Sequence, residues 1–105
     1  MVTAVKTKKE LIERILSAQD KISSYGVTQL GIFGSFVRDE ADETSDVDFF
    51  VHFDPNYKTL KNFVGLANYL KTLLGRKVEI VTPQSLNKFI GKYIQQEVEY
   101  VTLAA

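Results

Sequence analysis

The sequence predicts a small α/β (α+β) domain in which helices cover a mixed β-sheet. Short runs of β-branched and aromatic residues alternate with longer segments in which apolar residues recur every three or four positions. Strands separated by helices favour a sheet with helices packed on it. The predicted order is α-β-α-β-α-β-α, with elements at residues 7–23, at 27–33, from 35, and at 46–53, 60–74, 76–82 and 85–101.

Local signals mark the ends of these elements. Thr7 followed three positions later by Glu10 is the capping-box pattern that begins a helix. Gly75 ends the helix over 60–74, because glycine readily adopts the left-handed conformation of a C-terminal cap. Pro83 ends the third strand and Ser85 opens the last predicted helix.

Length, charge and composition limit the possible functions. The 105 residues fit one domain, 1–105, and no linker divides them. Thirteen basic and thirteen acidic side chains cancel, so we expect no direct binding to nucleic acid. The absence of cysteine excludes disulfides, thiolate metal sites and cysteine nucleophiles. No apolar run approaches the length of a membrane span, and we expect a cytoplasmic protein with no membrane partner.

Two aspartates stand at the start of the second predicted strand. Asp46 and Asp48 are two positions apart, and alternation along a strand sends both side chains to the same face. Like charges so close repel each other, so a cation that neutralises both is the simplest reason for the pair. The alternatives are a solvated strand entrance or part of a calcium loop. The further oxygen ligands and the glycine of a calcium loop are missing.

Gly34 and Ser35 end the first predicted strand. The missing glycine side chain lets a phosphate approach the backbone, and the following helix presents free N–H groups to it. The hydroxyl of Ser35 adds another donor. A Gly-Ser pair alone is a common turn, so this interpretation depends on the carboxylates that follow ten residues later.

A third acid lies within an apolar strand. Glu79 is flanked by valine and isoleucine, where a carboxylate needs a partner, a metal ion or an exposed edge. If the second and third strands are neighbours, Asp46, Asp48 and Glu79 meet. Three carboxylates beside a phosphate-binding turn predict a site for one or two magnesium ions and a nucleoside triphosphate.

Arg38 and His52 leave alternatives open. Arg38 either holds a phosphate or pairs with Glu40 or Asp42 on the surface. His52 falls on the strand face of the two aspartates but farther along it, which favours a structural role over a ligand role.

The motif resembles the minimal nucleotidyltransferase (MNT) domains of the DNA polymerase β-like superfamily. The Gly-Ser turn, the Asp-Val-Asp segment 46–48 and the later Val-Glu-Ile-Val strand carry the resemblance, which extends over nearly the whole chain and includes Arg38. It implies a polymerase β-like nucleotidyltransferase fold. By resemblance Asp46 and Asp48 ligate magnesium, while the turn binds the triphosphate. Glu79 would complete the metal site or activate the acceptor hydroxyl.

The same resemblance implies an activity and a partner. Family members are often encoded beside a HEPN-domain toxin and act as its antitoxin by transferring AMP from ATP to a tyrosine hydroxyl of the toxin. This chain would then be a Mg-dependent protein adenylyltransferase that forms a hetero-oligomer with the toxin. The alternative is a catalytically weak or inactive binding module that neutralises the toxin by contact. Two departures from the family pattern support it, Glu79 in place of the usual aspartate and Asp39 in place of the common glycine.

Overall fold

The computed structural model describes residues 3–85 and 88–103. The helices of this part of the chain are α1 (Lys8–Ser17), α2 (Gln19–Ser23), α3 (Leu60–Leu74) and α4 (Lys88–Glu97). The strands are β1 (Val27–Phe33), β2 (Val47–Phe53), β3 (Val78–Val81) and β4 (Glu99–Val101). Two 3-10 segments, Gly34–Phe36 and Pro83–Ser85, follow β1 and β3. No helix among the described residues is both long and apolar enough to cross a membrane.

The strands form one mixed sheet in the order β3-β2-β1-β4. β1 pairs antiparallel with both β2 and β4, while β2 and β3 run parallel and are joined through α3. A parallel neighbour requires such a crossover, which explains why the longest helix lies between these two strands. The mixed sheet covered by helices that the sequence predicts is therefore confirmed.

The two faces of the sheet serve different purposes. One face packs against α1, α2 and α3 and forms the core, which includes Leu11, Ile15, Ile22, Leu30, Ile32, Val47, Phe49, Val51, Leu66, Leu70 and Leu74. Because side chains alternate along a strand, Asp48 and Glu79 project from the opposite face. The acidic residues thus stand away from the core, on the side where the chain continues into α4.

Most predicted elements match the structure. The strand over 27–33 and the helix over 60–74 have the predicted bounds, whereas the strands predicted over 46–53 and 76–82 begin at Val47 and Val78. The helix predicted over 7–23 is two helices, since the backbone of Ala18 leaves the helical region with φ −119° and ψ 18°.

The prediction for the C-terminal segment is wrong. The helix predicted over 85–101 ends at Glu97, and the next residues form β4. Strand β1 would otherwise have an unpaired edge, and pairing with 99–101 satisfies its backbone donors and acceptors. Tyr93 of α4 and Tyr100 of β4 are 58% and 45% exposed. Residues 86 and 87 of the predicted helix lie outside the described residues.

The C-terminal cap of α3 gives a test of the fold. Gly75 has φ 67°, and its N–H donates to the carbonyl of Lys71 at 3.0 Å. A Cβ at this position would lie 2.9 Å from Cα of Ala4, because the N-terminal segment passes beside the end of the helix.

We expect Gly75→Ala to lower the free energy of unfolding by about 1–2 kcal/mol, since alanine disfavours the left-handed conformation and the N-terminal segment must shift. Urea denaturation measures the change. Thr72→Ala, at an exposed position of the same helix, is the matched control and should change stability by no more than ~0.5 kcal/mol. Equal stability of the Gly75 variant and the native chain would contradict this account of the cap.

Candidate active site

The turn after β1 brings backbone against a carboxylate. Gly34 has φ 78°, and a Cβ there would lie 2.3 Å from Oδ2 of Asp48. The pairing of β1 with β2 sets Phe33 opposite Asp48, which places the turn at this aspartate. Glycine is favoured on both counts, because a Cβ would displace the Asp48 carboxylate and because the left-handed conformation strains other residues. The turn and the acids that the sequence separates by ten residues are in direct proximity.

Asp48 and Glu79 are neighbours across the parallel pair β2–β3. β3 is an edge strand of the sheet and Glu79 is exposed. Of the three explanations for a carboxylate in this apolar strand, the exposed edge therefore applies. Asp46 lies one residue before β2 and is exposed, and its charge acts on Asp48. The structure therefore brings the three predicted carboxylates to one end of two adjacent strands.

The environment of Asp48 is strongly unfavourable for a negative charge. The pKa of Asp48 is raised to about 6, and the largest cause is burial, followed by the charge of Glu79. The charge of Asp46, a hydrogen bond with Glu79 and the charge of Glu97 act in the same direction. A bound cation would remove this penalty, which is the electrostatic pattern of a metal site.

The donor set fits magnesium in its chemistry, since carboxylate oxygens are the ligands that this ion prefers. The orientation of the side chains is a separate matter. Among residues 3–85 and 88–103, no three acidic or histidine side chains converge so as to hold one ion. The backbone thus gathers Asp46, Asp48 and Glu79, while their side chains do not form a three-ligand cluster.

Arg38 is bound to two acids in this structure. Its Nε lies 3.3 Å from Oε2 of Glu40, and its Nη1 donates to Oε1 of Glu97. Of the two surface partners expected from the sequence, Glu40 is present, while Asp42 accepts hydrogen bonds from Thr44 and Ser45. The contact with Glu97 was not expected.

Glu97 is the site residue that the sequence analysis missed. Its Oε2 accepts a hydrogen bond from the N–H of Gly34 at 3.1 Å, so one carboxylate bridges the turn and Arg38. The side chain is only 14% exposed. No local pattern reveals this role, because it depends on the end of α4 packing beside a turn 63 residues earlier in the chain.

The connector before Asp46 is held by Arg76, a residue for which no motif in the sequence indicates a role. Nη1 of Arg76 donates to the carbonyls of Asp42 and Ser45 at 2.8 and 2.9 Å, and Nε donates to that of Val5 at 2.6 Å. A cavity of about 770 Å³ lies beside these residues and reaches Asp46. Arg76 thereby fixes the backbone immediately before the first carboxylate.

Asp39 contacts the start of helix α1. It has φ 56°, a conformation that favours glycine but that aspartate tolerates better than most residues. Its Oδ1 accepts a hydrogen bond from the N–H of Lys8 at 3.2 Å, at the start of α1. An acid at a helix N-terminus is favourable, so this charge stabilises α1.

His52 contacts aromatic side chains. Its Nε2 lies 3.0 Å from the hydroxyl oxygen of Tyr100, and its ring meets that of Phe50 edge-on with centroids 5.0 Å apart. These contacts tie β2 to β4 across the sheet, which supports the structural role favoured from the sequence.

A mixed sheet that brings a glycine turn against paired carboxylates on neighbouring strands defines a nucleotidyltransferase. The chain belongs to the nucleotidyltransferase domain family, whose model matches residues 9–102. Its architecture is that of the minimal members of this family. A solved minimal nucleotidyltransferase superposes with a TM-score of 0.70 at 29% identity, over 84% of this chain and 93% of that chain.

Two further proteins are similar to this chain. Protein adenylyltransferase MntA of Thermococcus cleftensis is 46% identical over 94 residues, which are 88% of this chain and 94% of the relative. A chain of the complex between tri-AMPylated HEPN toxin and MNT antitoxin from Shewanella oneidensis has a TM-score of 0.65. It is 14% identical and is matched over 93% of this chain and 74% of that chain, a likeness of fold alone.

The raised pKa of Asp48 predicts that the metal-free fold is more stable in mild acid. Its folded pKa of about 6 lies above the unfolded value of 3.8, so the stability due to protonation is lost as the pH rises through about 6. We expect Asp48→Asn to remove this dependence and to stabilise the metal-free protein by about 1 kcal/mol near pH 8, after allowance for solvent screening. Urea unfolding at about pH 5 and pH 8 without divalent ions tests it. Glu43→Gln, at an exposed position of the connector, should leave the pH dependence unchanged.

Loss of the Arg76 hydrogen bonds should destabilise the connector. We expect Arg76→Met to lower the free energy of unfolding by about 1.5–3 kcal/mol, because three backbone carbonyls lose a charged donor. Arg76→Lys should lower the free energy of unfolding by a smaller amount than Arg76→Met, since an ammonium group keeps the charge but cannot reproduce the planar arrangement of guanidinium donors. Chemical denaturation gives the values, and Lys77→Met at the neighbouring exposed position serves as control. A loss no greater than that of the control would exclude this role of Arg76.

Proposed function

We propose that this chain is a protein adenylyltransferase of the antitoxin type, which neutralises a HEPN-domain toxin by transferring AMP from ATP to a tyrosine hydroxyl of that toxin. The observation that carries the proposal is the approach of the Gly34 turn to Asp48, which brings the backbone proposed to bind phosphate beside two carboxylates. The 46% identity to a protein adenylyltransferase supports the same activity.

The phosphates of ATP are proposed to bind at the turn. The N–H of Gly34, the hydroxyl of Ser35 and the guanidinium of Arg38 are the donors proposed to bind the β- and γ-phosphates, and the first and the last of them bind Glu97 in this structure. The hydroxyl of Ser35 has no hydrogen-bond partner within residues 3–85 and 88–103, which leaves it available to a ligand. With these phosphates at the turn, the α-phosphate lies toward Asp46 and Asp48.

Asp46, Asp48 and Glu79 are the residues proposed to hold one or two magnesium ions. When bound, magnesium supplies charge stabilisation for the entering and leaving oxygens of phosphoryl transfer. The tyrosine oxygen forms a bond to the α-phosphorus, the bond from that phosphorus to the bridging oxygen breaks, and pyrophosphate leaves with the electron pair. Glu79, exposed at the edge of the sheet, is the group proposed to accept the tyrosine proton if it is not a metal ligand.

The alternative is a binding module that neutralises the toxin by contact. The observation that favours it is that the three carboxylates do not converge on one point among the described residues. The two functions differ in whether a covalent product forms. Glu79 and Asp39, which depart from the family pattern, are the sequence features that support this alternative.

Transfer of radiolabelled AMP to the toxin distinguishes the adenylyltransferase from the binding module. We expect the chain to transfer radiolabelled AMP from ATP to a co-purified HEPN-domain protein when magnesium is present. Asp46→Ala/Asp48→Ala should abolish transfer, and Glu79→Gln should slow it by about 10²–10⁴, the usual contribution of a proton acceptor. Asp20→Ala, at an exposed position of α2, is the control and should retain activity. Tight association without any labelled product would establish the contact module instead.

A further inference from the structure

Glu97 occupies the donors that the nucleotide is proposed to use. Its two oxygens bind the backbone N–H of Gly34 and the guanidinium of Arg38, and the side chain is largely buried. A backbone N–H and an arginine that converge on two oxygens of one anion are the usual elements of a phosphate site. In this structure the anion is supplied by the protein itself.

We propose that Glu97 is an internal competitor of the nucleotide, whose carboxylate stands in the place of a phosphate and must leave before ATP binds. The inference rests on the proposed function of the Gly34 turn as the triphosphate site. The N–H of Gly34 has one hydrogen and is already donated to Glu97 at 3.1 Å. A phosphate at the same donor would also face the charge of this carboxylate.

The position of Glu97 in α4 supports displacement over permanent docking. It is the last residue of the helix, where a negative side chain opposes the helix dipole. Its charge also adds to those around Asp48. The hydrogen bonds from Gly34 and Arg38 therefore offset two unfavourable interactions of the Glu97 charge, one with the helix dipole and one with the acids around Asp48. A ligand that replaces Glu97 at these two donors lets the carboxylate move into solvent.

The competitor acts only on ligands that need these two donors. A triphosphate must return more to Gly34 and Arg38 than the carboxylate does, whereas AMP, which has no phosphates beyond the α-position, leaves Glu97 in place. Glu97 thus lowers the affinity for the triphosphate and not the affinity for AMP. A purely structural tie between α4 and the turn predicts the opposite effect of mutation, because its loss would loosen the turn and weaken binding.

The test is the affinity for magnesium and AMP-PNP, measured by isothermal titration calorimetry. Glu97→Gln should bind about tenfold or more tightly than the native chain, since the neutral amide neither holds Arg38 as strongly nor repels the phosphates. The control is Glu99→Gln, which removes the same charge two residues later, where Glu99 pairs with Lys8. We expect the control to stay within about twofold of the native affinity.

A third variant separates failure of this inference from failure of the proposed site. If Arg38→Gln weakens binding of AMP-PNP while Glu97→Gln leaves it equal or weaker, the phosphate site stands and the competitor role is wrong. If neither variant changes the affinity, the phosphate site itself is wrong, and the inference falls with it.

The native chain provides a readout that does not depend on the folding of a variant. In solution NMR, magnesium and AMP-PNP should shift both the Gly34 amide resonance and the side-chain carboxyl carbon of Glu97. A carboxyl resonance that stays unchanged at saturation would overturn the proposal.

Discussion

The approach of the Gly34 backbone to the Asp48 carboxylate is the constraint on which the rest of the site depends. It follows from the antiparallel register of β1 and β2, which sets Phe33 opposite Asp48. A Cβ on residue 34 would displace the carboxylate and φ is positive there, so glycine lets the turn close without strain. The proximity of the proposed phosphate donors and metal ligands is thus a property of strand pairing, and rigid elements position such groups more accurately than loops do.

Four carboxylates around this turn make the nucleotide-free site electrostatically costly. Burial and neighbouring charges raise the pKa of Asp48 to about 6, and Arg38 is the cation that the structure places against Glu97. Sites built for function commonly retain such unfavourable terms, and the fold must supply compensating stability elsewhere. Here the apolar core on the opposite face of the sheet, which includes Phe49 of β2, supplies it. The separation of faces lets one strand carry both a core residue and a site residue.

The sequence predicts what local signals specify. Strand β1 and helix α3 have their own periodicity and ends, down to the cap at Gly75, and the Asp46/Asp48 spacing predicts the acidic cluster. β4 could not be predicted, because residues 99–101 continue a helical pattern and become a strand only by pairing with β1. The roles of Arg76 and Glu97 were missed for the same reason, since each depends on contacts across more than thirty positions in the chain.

These two residues act on opposite sides of the site. Arg76 fixes the backbone before Asp46 through uncharged carbonyls, so its contribution does not depend on whether a ligand is bound. Glu97 binds Arg38 and Gly34 through charge, so its contribution changes as soon as another anion arrives. A free triphosphate would approach Glu97, Asp48 and their acidic neighbours together and be repelled by all of them. Under the proposed function, magnesium would reduce that repulsion at the aspartates, the release of Glu97 would reduce it at the turn, and binding of ATP would require both.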